Sequence, residues 1–209
     1  MSYETDEEKV EAIKKWWKEN GLSVVAGTVL GLGAISGWQA WIDYQQRVAG
    51  EASSAFEQLL SSAPTEKSEV IVKQAAALTD DFGSTTYAKL SGLVTAKALY
   101  QAGDAAAAMT ALQAVIADAP DPAFASIAAL RLARIQVAEN QFDAAAATIA
   151  AHDHSPAFAG EFAAVRGDLA AGRGDFAAAR AAYEQALAQD CGLAPLVRLK
   201  RDNLPPARS

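Results

Sequence analysis

The distribution of apolar residues divides the chain into two unlike parts. Between Glu19 and Asp43 no residue is charged, and Leu22 to Ile42 form an apolar run of 21 residues. As an α-helix this run would be about 30 Å long, which is the thickness of the hydrocarbon core of a bilayer. From Tyr44 onward, apolar residues instead recur at steps of three and four, as in amphipathic helices that pack on one another. The pattern predicts one transmembrane helix followed by an all-α domain.

The tryptophans support the interpretation of the apolar run as a membrane span. All four lie at its two ends, Trp16 and Trp17 before it and Trp38 and Trp41 near its close, where indole rings meet lipid headgroups. A cleaved signal peptide is one alternative, but the run is long for a signal and six acidic residues precede it. A buried helix of a soluble domain is another, and it fits less well because the run has no polar face.

The basic residues around the span predict its orientation. Lys9, Lys14, Lys15 and Lys18 precede it, whereas only Arg47 occurs in the 20 residues that follow. Because lysine and arginine are retained on the cytoplasmic side, the N-terminus is expected in the cytoplasm and the large domain on the opposite side. In a bacterium this is a single-pass inner-membrane protein with a periplasmic C-terminal domain.

The span also contains four glycines at a spacing that favours helix packing. Gly27 and Gly31 form one GxxxG pair, and Gly33 and Gly37 form a second. Small residues four apart let another helix approach closely, so they predict a lateral partner in the membrane. The alternative is that glycine is simply common in membrane helices.

The first helices beyond the span are bounded by breakers. A helix is predicted from Tyr44 to about Ala63, where Pro64 ends it, and a second from Ser68 to Leu78. Asp80 to Thr86 contains polar residues and a glycine, so a turn is predicted there, with a capping residue for the next helix among 84–86.

The remaining sequence repeats itself. Aligning Gly103, Asn140 and Gly174 gives steps of 37 and 34 residues. Each of these residues can adopt a left-handed conformation at a helix end, and similar residues recur around all three. These are small residues where helices pack, followed by a large apolar residue four positions later: Ala96, Ala108 and Leu112; Ala133, Ala145 and Ile149; Gly167, Ala179 and Tyr183.

These residues resemble the tetratricopeptide repeat (TPR). The resemblance is clearest in the third unit, with Gly174-Asp175-Phe176 followed by Ala179, Tyr183, Ala186 and Leu187. The first unit has Gly92 where a large aromatic residue is usual, and the second has His152 where alanine is usual. The resemblance implies helix pairs that stack into a solenoid. A generic alanine-rich helical bundle is the alternative.

Four segments follow from these patterns. Residues 1–21 form a cytoplasmic leader and 22–42 the transmembrane helix. Residues 43–87 form a linker helix with the first helical pair, and 88–209 the TPR-like repeats with a C-terminal helix.

Charge and motifs argue against several functions. The net charge of −7 disfavours nucleic-acid binding, which needs a basic face. Motifs of hydrolases, nucleotide-binding proteins and zinc peptidases are absent from the sequence. The nearest approach to a metal cluster, His152-Asp153-His154, is interpreted as a solvated turn, and Cys191 as a small core residue. No catalytic residue, cofactor or metal ligand is therefore predicted.

Binding is instead expected on the concave face of the stack, which the first helix of each pair lines. Its candidate residues mix apolar, basic and acidic side chains, which suits extended segments of unfolded chains or a partner helix. Packing between repeats is the alternative role for the leucines and the valine. The candidates are Leu93, Lys97 and Tyr100; Leu130, Arg134 and Val137; and Ala164, Asp168 and Ala171.

The whole chain is similar to the YfgM family. The resemblance rests on the short leader, the single span, the degenerate repeats and the terminal segment from Leu196 to Leu204. It implies an ancillary subunit of the bacterial Sec translocon. The implied partners are the SecYEG channel, a membrane-anchored periplasmic chaperone of the PpiD type and emerging unfolded secretory proteins. Membrane lipid is a further expected partner, because of the apolar span.

The sequence therefore predicts a non-enzymatic, membrane-anchored scaffold or chaperone-like subunit. The alternative is a regulatory or assembly adaptor whose leader, Met1 to Asn20, binds a soluble regulator; the acidic run Glu4 to Glu8 motivates it. A periplasmic enzyme is a third possibility that only a turnover assay would support.

Overall fold

A computed structural model describes residues 6–206, with side chains from Glu8 onward. Within that range the regular secondary structure is entirely helical and contains no strands, which confirms the all-α prediction. The helices are α1 (Asp6–Ser62), α2 (Ser68–Phe82), α3 (Thr86–Gln101), α4 (Ala105–Ala117), α5 (Pro122–Ala138), α6 (Phe142–His152), α7 (Ala159–Gly172), α8 (Phe176–Ala188) and α9 (Ala194–Asp202), with a 3₁₀ turn at Pro156–Phe158.

The chain forms two compact units, Met1–Gly50 and Glu51–Ser209. The first unit consists of the long N-terminal part of α1, which runs without a break from Asp6. This helix is long and apolar enough to cross a membrane. Its large apolar side chains are exposed, Leu22 at 85% and Leu30 at 74%, as lipid-facing residues must be. The prediction of a single N-terminal span is confirmed.

The second unit stacks helix pairs in chain order. Three hydrophobic clusters form the core from α3 to α9, and each is built from three consecutive helices. The first joins α3, α4 and α5, the second α5, α6 and α7, and the third α7, α8 and α9. Because each cluster shares helices with the next, no pair buries its apolar face alone, which is the organisation of a repeat solenoid.

The predicted helix ends are confirmed in all three repeats. Gly103, Asn140 and Gly174 have φ angles of 88°, 58° and 79°, in the left-handed region that glycine and asparagine tolerate best. The next residue is the N-cap that immediately precedes the second helix of the pair. Asp104 and Asp175 cap α4 and α8, since their carboxylates accept hydrogen bonds from the backbone N–H groups three residues later, at Ala107 and Ala178.

The small residues of the repeat lie where the helices approach each other. Ala108, Ala145 and Ala179 are fully buried, and the large residues four positions later fill the space beside them. At Gly167 the approach is so close that an added Cβ would lie 2.4 Å from the Tyr183 ring. The same position holds alanine in the other two repeats, Ala96 and Ala133, and both are buried.

The segment before the repeats differs slightly from expectation. α2 continues to Phe82 rather than ending at Leu78, so the turn contains only Gly83 to Thr85. Thr85 caps α3 by accepting a hydrogen bond from the Ala88 N–H, within the range predicted to supply the cap. Leu59 at the end of α1 packs with Ile71 and Ala75 of α2 in a small fourth cluster. The acidic run Glu4 to Glu8 lies partly outside the described residues.

Candidate functional site

A recess of about 280 Å³ opens between α3 and α5. Its floor is apolar, and three cations stand among its lining residues, so it is called the cationic groove below. It is lined by Leu93, Ala96, Lys97, Tyr100, Leu112, Arg131, Arg134 and Ile135.

A second recess, of about 390 Å³, lies between α5, α7 and α9, and is called the α9 groove. Arg134 lines both recesses, so the two follow one another along the first helices of the repeats. The C-terminal helix supplies one wall with Leu196 and Val197. The complete lining is Arg134, Val137, Ala138, Ala164, Asp168, Leu193, Leu196, Val197 and Lys200.

Most of the residues predicted for the concave face line one of these grooves. Those are Leu93, Lys97, Tyr100, Arg134, Val137, Ala164 and Asp168. Leu93 is 5% exposed and belongs mainly to the first core cluster. Leu130 is equally buried, in the second cluster, and Ala171 packs against the third. Neither of these two residues lines a groove.

The electrostatics of the cationic groove centre on two arginines. Arg131 and Arg134 are three residues apart on α5, so their side chains share a helix face. Burial lowers the pKa of the Arg131 guanidinium from its ordinary value, and the positive charge of Arg134 lowers it further. The Arg131 Nη1 lies 3.5 Å from the carbonyl oxygen of Leu93, which is its hydrogen-bond partner.

The carboxylate of Asp168 connects three helices beside the α9 groove. Its Oδ1 accepts a hydrogen bond of 2.7 Å from the Tyr183 hydroxyl on α8, and Lys200 Nζ on α9 lies 2.7 Å and 2.8 Å from its two oxygens. Burial raises the pKa of Tyr183, and the hydrogen bond to Asp168 raises it further. Asp168 therefore holds α9 against the repeat.

The residues with potential catalytic or metal-binding chemistry serve structural roles. Asp153, between the two histidines, forms an ion pair with Arg166 of α7. Cys191 is 4% exposed and belongs to the third core cluster. Among the described side chains, no group of three or more His, Cys, Asp or Glu residues could hold a metal ion.

Sequence reasoning missed Arg131 and the residues of α9. Arg131 could have been found, because a residue three positions before Arg134 lies on the same helix face. The contributions of Leu193, Leu196 and Lys200 could not, since they depend on where the last helix docks. A terminal helix has no following repeat whose spacing would fix its position.

The four glycines of α1 are free of packing within the described structure. An added Cβ at Gly27, Gly31, Gly33 or Gly37 would meet no atom within 4 Å. At about 100° per residue, the pair Gly27 and Gly31 and the pair Gly33 and Gly37 occupy two different faces of the helix. Their role as packing surfaces stays a prediction.

The stacked helix pairs define a TPR-like repeat protein with an apolar N-terminal helix. A family model described as "Tetratricopeptide repeat-like domain" matches residues 14–206. The chain is 33% identical over 147 residues to the "Ancillary SecYEG translocon subunit" of Escherichia coli (strain K12), covering 70% of each chain. It is 30% identical over 152 residues to the protein of that name in Haemophilus influenzae, covering 71% of this chain and 73% of the relative. The chain belongs to this family of ancillary SecYEG translocon subunits, the YfgM family of the sequence analysis.

A third relative of the same name, from Aggregatibacter actinomycetemcomitans, is 32% identical over 146 residues. The alignment covers 69% of this chain and 71% of that relative. No solved structure matches the chain significantly.

Proposed function

We propose that this chain is a non-enzymatic ancillary subunit of the Sec translocon that holds a binding domain beside the channel. The observation that carries the proposal is that the chain combines an exposed apolar helix with a repeat domain whose two grooves mix apolar and charged side chains. Membership in a family whose members are named ancillary SecYEG translocon subunits supports it.

The membrane helix is the proposed contact with SecYEG. Its glycine pairs leave the backbone open to a neighbouring helix, and close backbone approach is the main source of helix association in lipid. The lysines before the span favour a cytoplasmic N-terminus, so the repeat domain is proposed to lie in the periplasm of a bacterial inner-membrane protein.

The two grooves are the proposed sites for a PpiD-type periplasmic chaperone and for emerging secretory chains. Their lining mixes apolar side chains such as Leu196 with cations such as Lys97, and this mixture suits incompletely folded segments. Anchoring keeps the domain at a high effective concentration near the channel, so weak contacts with each client are sufficient.

Co-purification in mild detergent tests the proposal. The tagged full chain is expected to recover the SecYEG subunits and a PpiD-type chaperone from membranes, identified by mass spectrometry. A matched variant with leucine at Gly27, Gly31, Gly33 and Gly37 keeps the apolar span but closes both glycine faces, and it is expected to recover less of the channel. Recovery of no translocon subunit with the unaltered chain would contradict the proposal.

A further inference from the structure

The cationic groove has the opposite charge to the chain as a whole. The full sequence has a net charge of −7, yet Lys97, Arg131 and Arg134 line this one recess. None of the residues described as lining it is acidic. Lys97 and Arg131 are exposed and Arg134 is half-buried, so the three positive charges are accessible to a ligand that supplies negative charge.

The neighbouring carboxylate does not neutralise these cations. Asp168 lies in the adjoining α9 groove, which Arg134 also lines, but both of its oxygens are engaged by Lys200 at 2.7 Å and 2.8 Å. In the part of the chain that the structure describes, no ion pair is found for Lys97, Arg131 or Arg134. Four cations and one carboxylate therefore line the two grooves.

The cations are placed beside apolar surface on two neighbouring helices. Lys97 and Tyr100 are three apart on α3, and Arg131 and Arg134 are three apart on α5, so each pair projects from one helix face. Leu112 and Ile135 line the floor between them. Tyr100 is 39% exposed and offers further apolar surface at the rim. Guanidinium groups bind carboxylates through two parallel hydrogen bonds. A ligand that also covers the apolar floor needs apolar side chains of its own.

We propose that the cationic groove binds an acidic amphipathic segment of a protein partner, with side-chain carboxylates against Arg131 and Arg134 and apolar residues on the floor. This inference rests on the proposed function, in which the repeat domain binds protein segments. Anionic lipid is the competing source of negative charge. A protein segment is favoured because the half-buried Arg134 stands inside a recess, which a chain segment can enter and a bilayer surface cannot.

The test measures peptide binding to the full chain reconstituted in nanodiscs of uncharged phosphatidylcholine. Two fluorescent amphipathic peptides share one apolar face and differ only in having glutamate or glutamine on the polar face. The glutamate peptide is expected to bind about tenfold more tightly, and the difference should shrink as salt is raised from about 0.05 to 0.5 M.

Three variants assign the preference to the groove. Arg131→Gln with Arg134→Gln is expected to abolish the difference between the peptides. The matched control, Lys73→Gln with Arg198→Gln, removes the same charge from exposed sites outside both grooves and is expected to retain it. Arg131→Glu with Arg134→Glu is expected to prefer a lysine version of the peptide, which damage to the fold would not produce.

Equal binding of the two peptides, or no binding of either, would overturn the inference. So would a glutamate preference that both double glutamine variants lose equally, since that is long-range attraction. If phosphatidylglycerol vesicles bind the chain with the same dependence on Arg131 and Arg134 and displace the peptide, the occupant is lipid and the inference is wrong. Recovery of SecYEG by the unaltered chain is measured in parallel, so a failure here leaves the proposed function standing on its own evidence.

Discussion

At Gly167, α7 approaches α8 so closely that one methyl group has no room. An added Cβ would lie 2.4 Å from two carbons of the Tyr183 ring, whose hydroxyl is fixed by its hydrogen bond to Asp168. The ring is 2% exposed, so it cannot swing into solvent. The third repeat therefore combines the smallest residue on one helix with a large one on the other, while the first and second use alanine with leucine or isoleucine.

Gly167→Ala is expected to destabilise the repeat domain by about 1–3 kcal/mol, because the methyl group overpacks a closed interface. The measurement is urea denaturation of the full chain in detergent, followed by circular dichroism. Gly50→Ala is the matched control, since a Cβ there meets no described atom within 4 Å. In open helix, alanine is favoured over glycine by about 0.5–1 kcal/mol. An unchanged stability at position 167 would contradict the packing described.

Individual residues were predictable where a local rule governs them. Gly103, Asn140 and Gly174 were identified at helix ends because few residues tolerate a positive φ. The burial of Ala108, Ala145 and Ala179 followed from the repeat spacing. Leu130, by contrast, was a candidate for the binding face and is buried in the core. Periodicity identifies the apolar face of a helix but does not say which part of it a neighbour covers.

At the scale of elements, α9 is the least predictable part of the fold and completes the α9 groove. It docks through Val197, which is 3% exposed in the third core cluster, and through the ion pair of Lys200 with Asp168. Leu193, which precedes this helix, stays 48% exposed, and Leu196 and Leu199 within it stay 44% and 58% exposed. The amphipathic pattern of such a helix is visible in sequence, but its docking site is set by tertiary contacts alone.

Lys200→Gln is expected to loosen α9 without unfolding the stack. The pair is partly exposed, so its loss should cost only about 0.5 kcal/mol. Hydrogen exchange resolved by mass spectrometry is expected to be faster in residues 194–202, with exchange in α3 to α6 unchanged. Arg198→Gln, on the same helix but exposed, is the control and should leave the exchange of α9 as it is. Equal protection of α9 in the two variants would show that Asp168 does not hold it.

Helix boundaries show where local signals were too weak. α2 was predicted to end at Leu78 because aspartates and a glycine follow, yet it extends to Phe82. Aspartate near a helix C-terminus is unfavourable by only a fraction of a kcal/mol, about 0.3–1, which tertiary packing readily exceeds. α2 ends only three residues before Thr85, which caps the next helix.

For the whole molecule, the combination of an apolar helix with a repeat domain was predictable because each part has its own periodicity. The uncharged run predicted an apolar N-terminal helix, and the steps of 37 and 34 residues predicted the repeats. The combined cationic character of Lys97, Arg131 and Arg134 was harder to predict, because it arises from two helices that only the stack brings together.

Orientation belongs to this scale, and it is expected to depend on the leader lysines. Alkaline phosphatase is active only outside the cytoplasm. Because the C-terminal domain is expected there, a fusion of the enzyme after Ser209 is expected to be active in cells. Replacing Lys9, Lys14, Lys15 and Lys18 with glutamine should reduce the active fraction, since these residues retain the leader in the cytoplasm. Replacing Lys67, Lys73, Lys89 and Lys97 instead is the control and should not alter it. If the fusion of the unaltered sequence were inactive, its C-terminus would lie in the cytoplasm, which would contradict the predicted topology.

The most direct test of the central claim, that the membrane helix holds this chain against the translocon, is photo-crosslinking in intact membranes from a probe at position 31. Leu32 is the control site, because it lies about 120° around the helix from the centre of each glycine face. The account predicts an adduct between position 31 and a SecYEG subunit, identified by mass spectrometry, and mainly lipid adducts from position 32. Lipid adducts alone at position 31 would contradict docking through the Gly27 and Gly31 face.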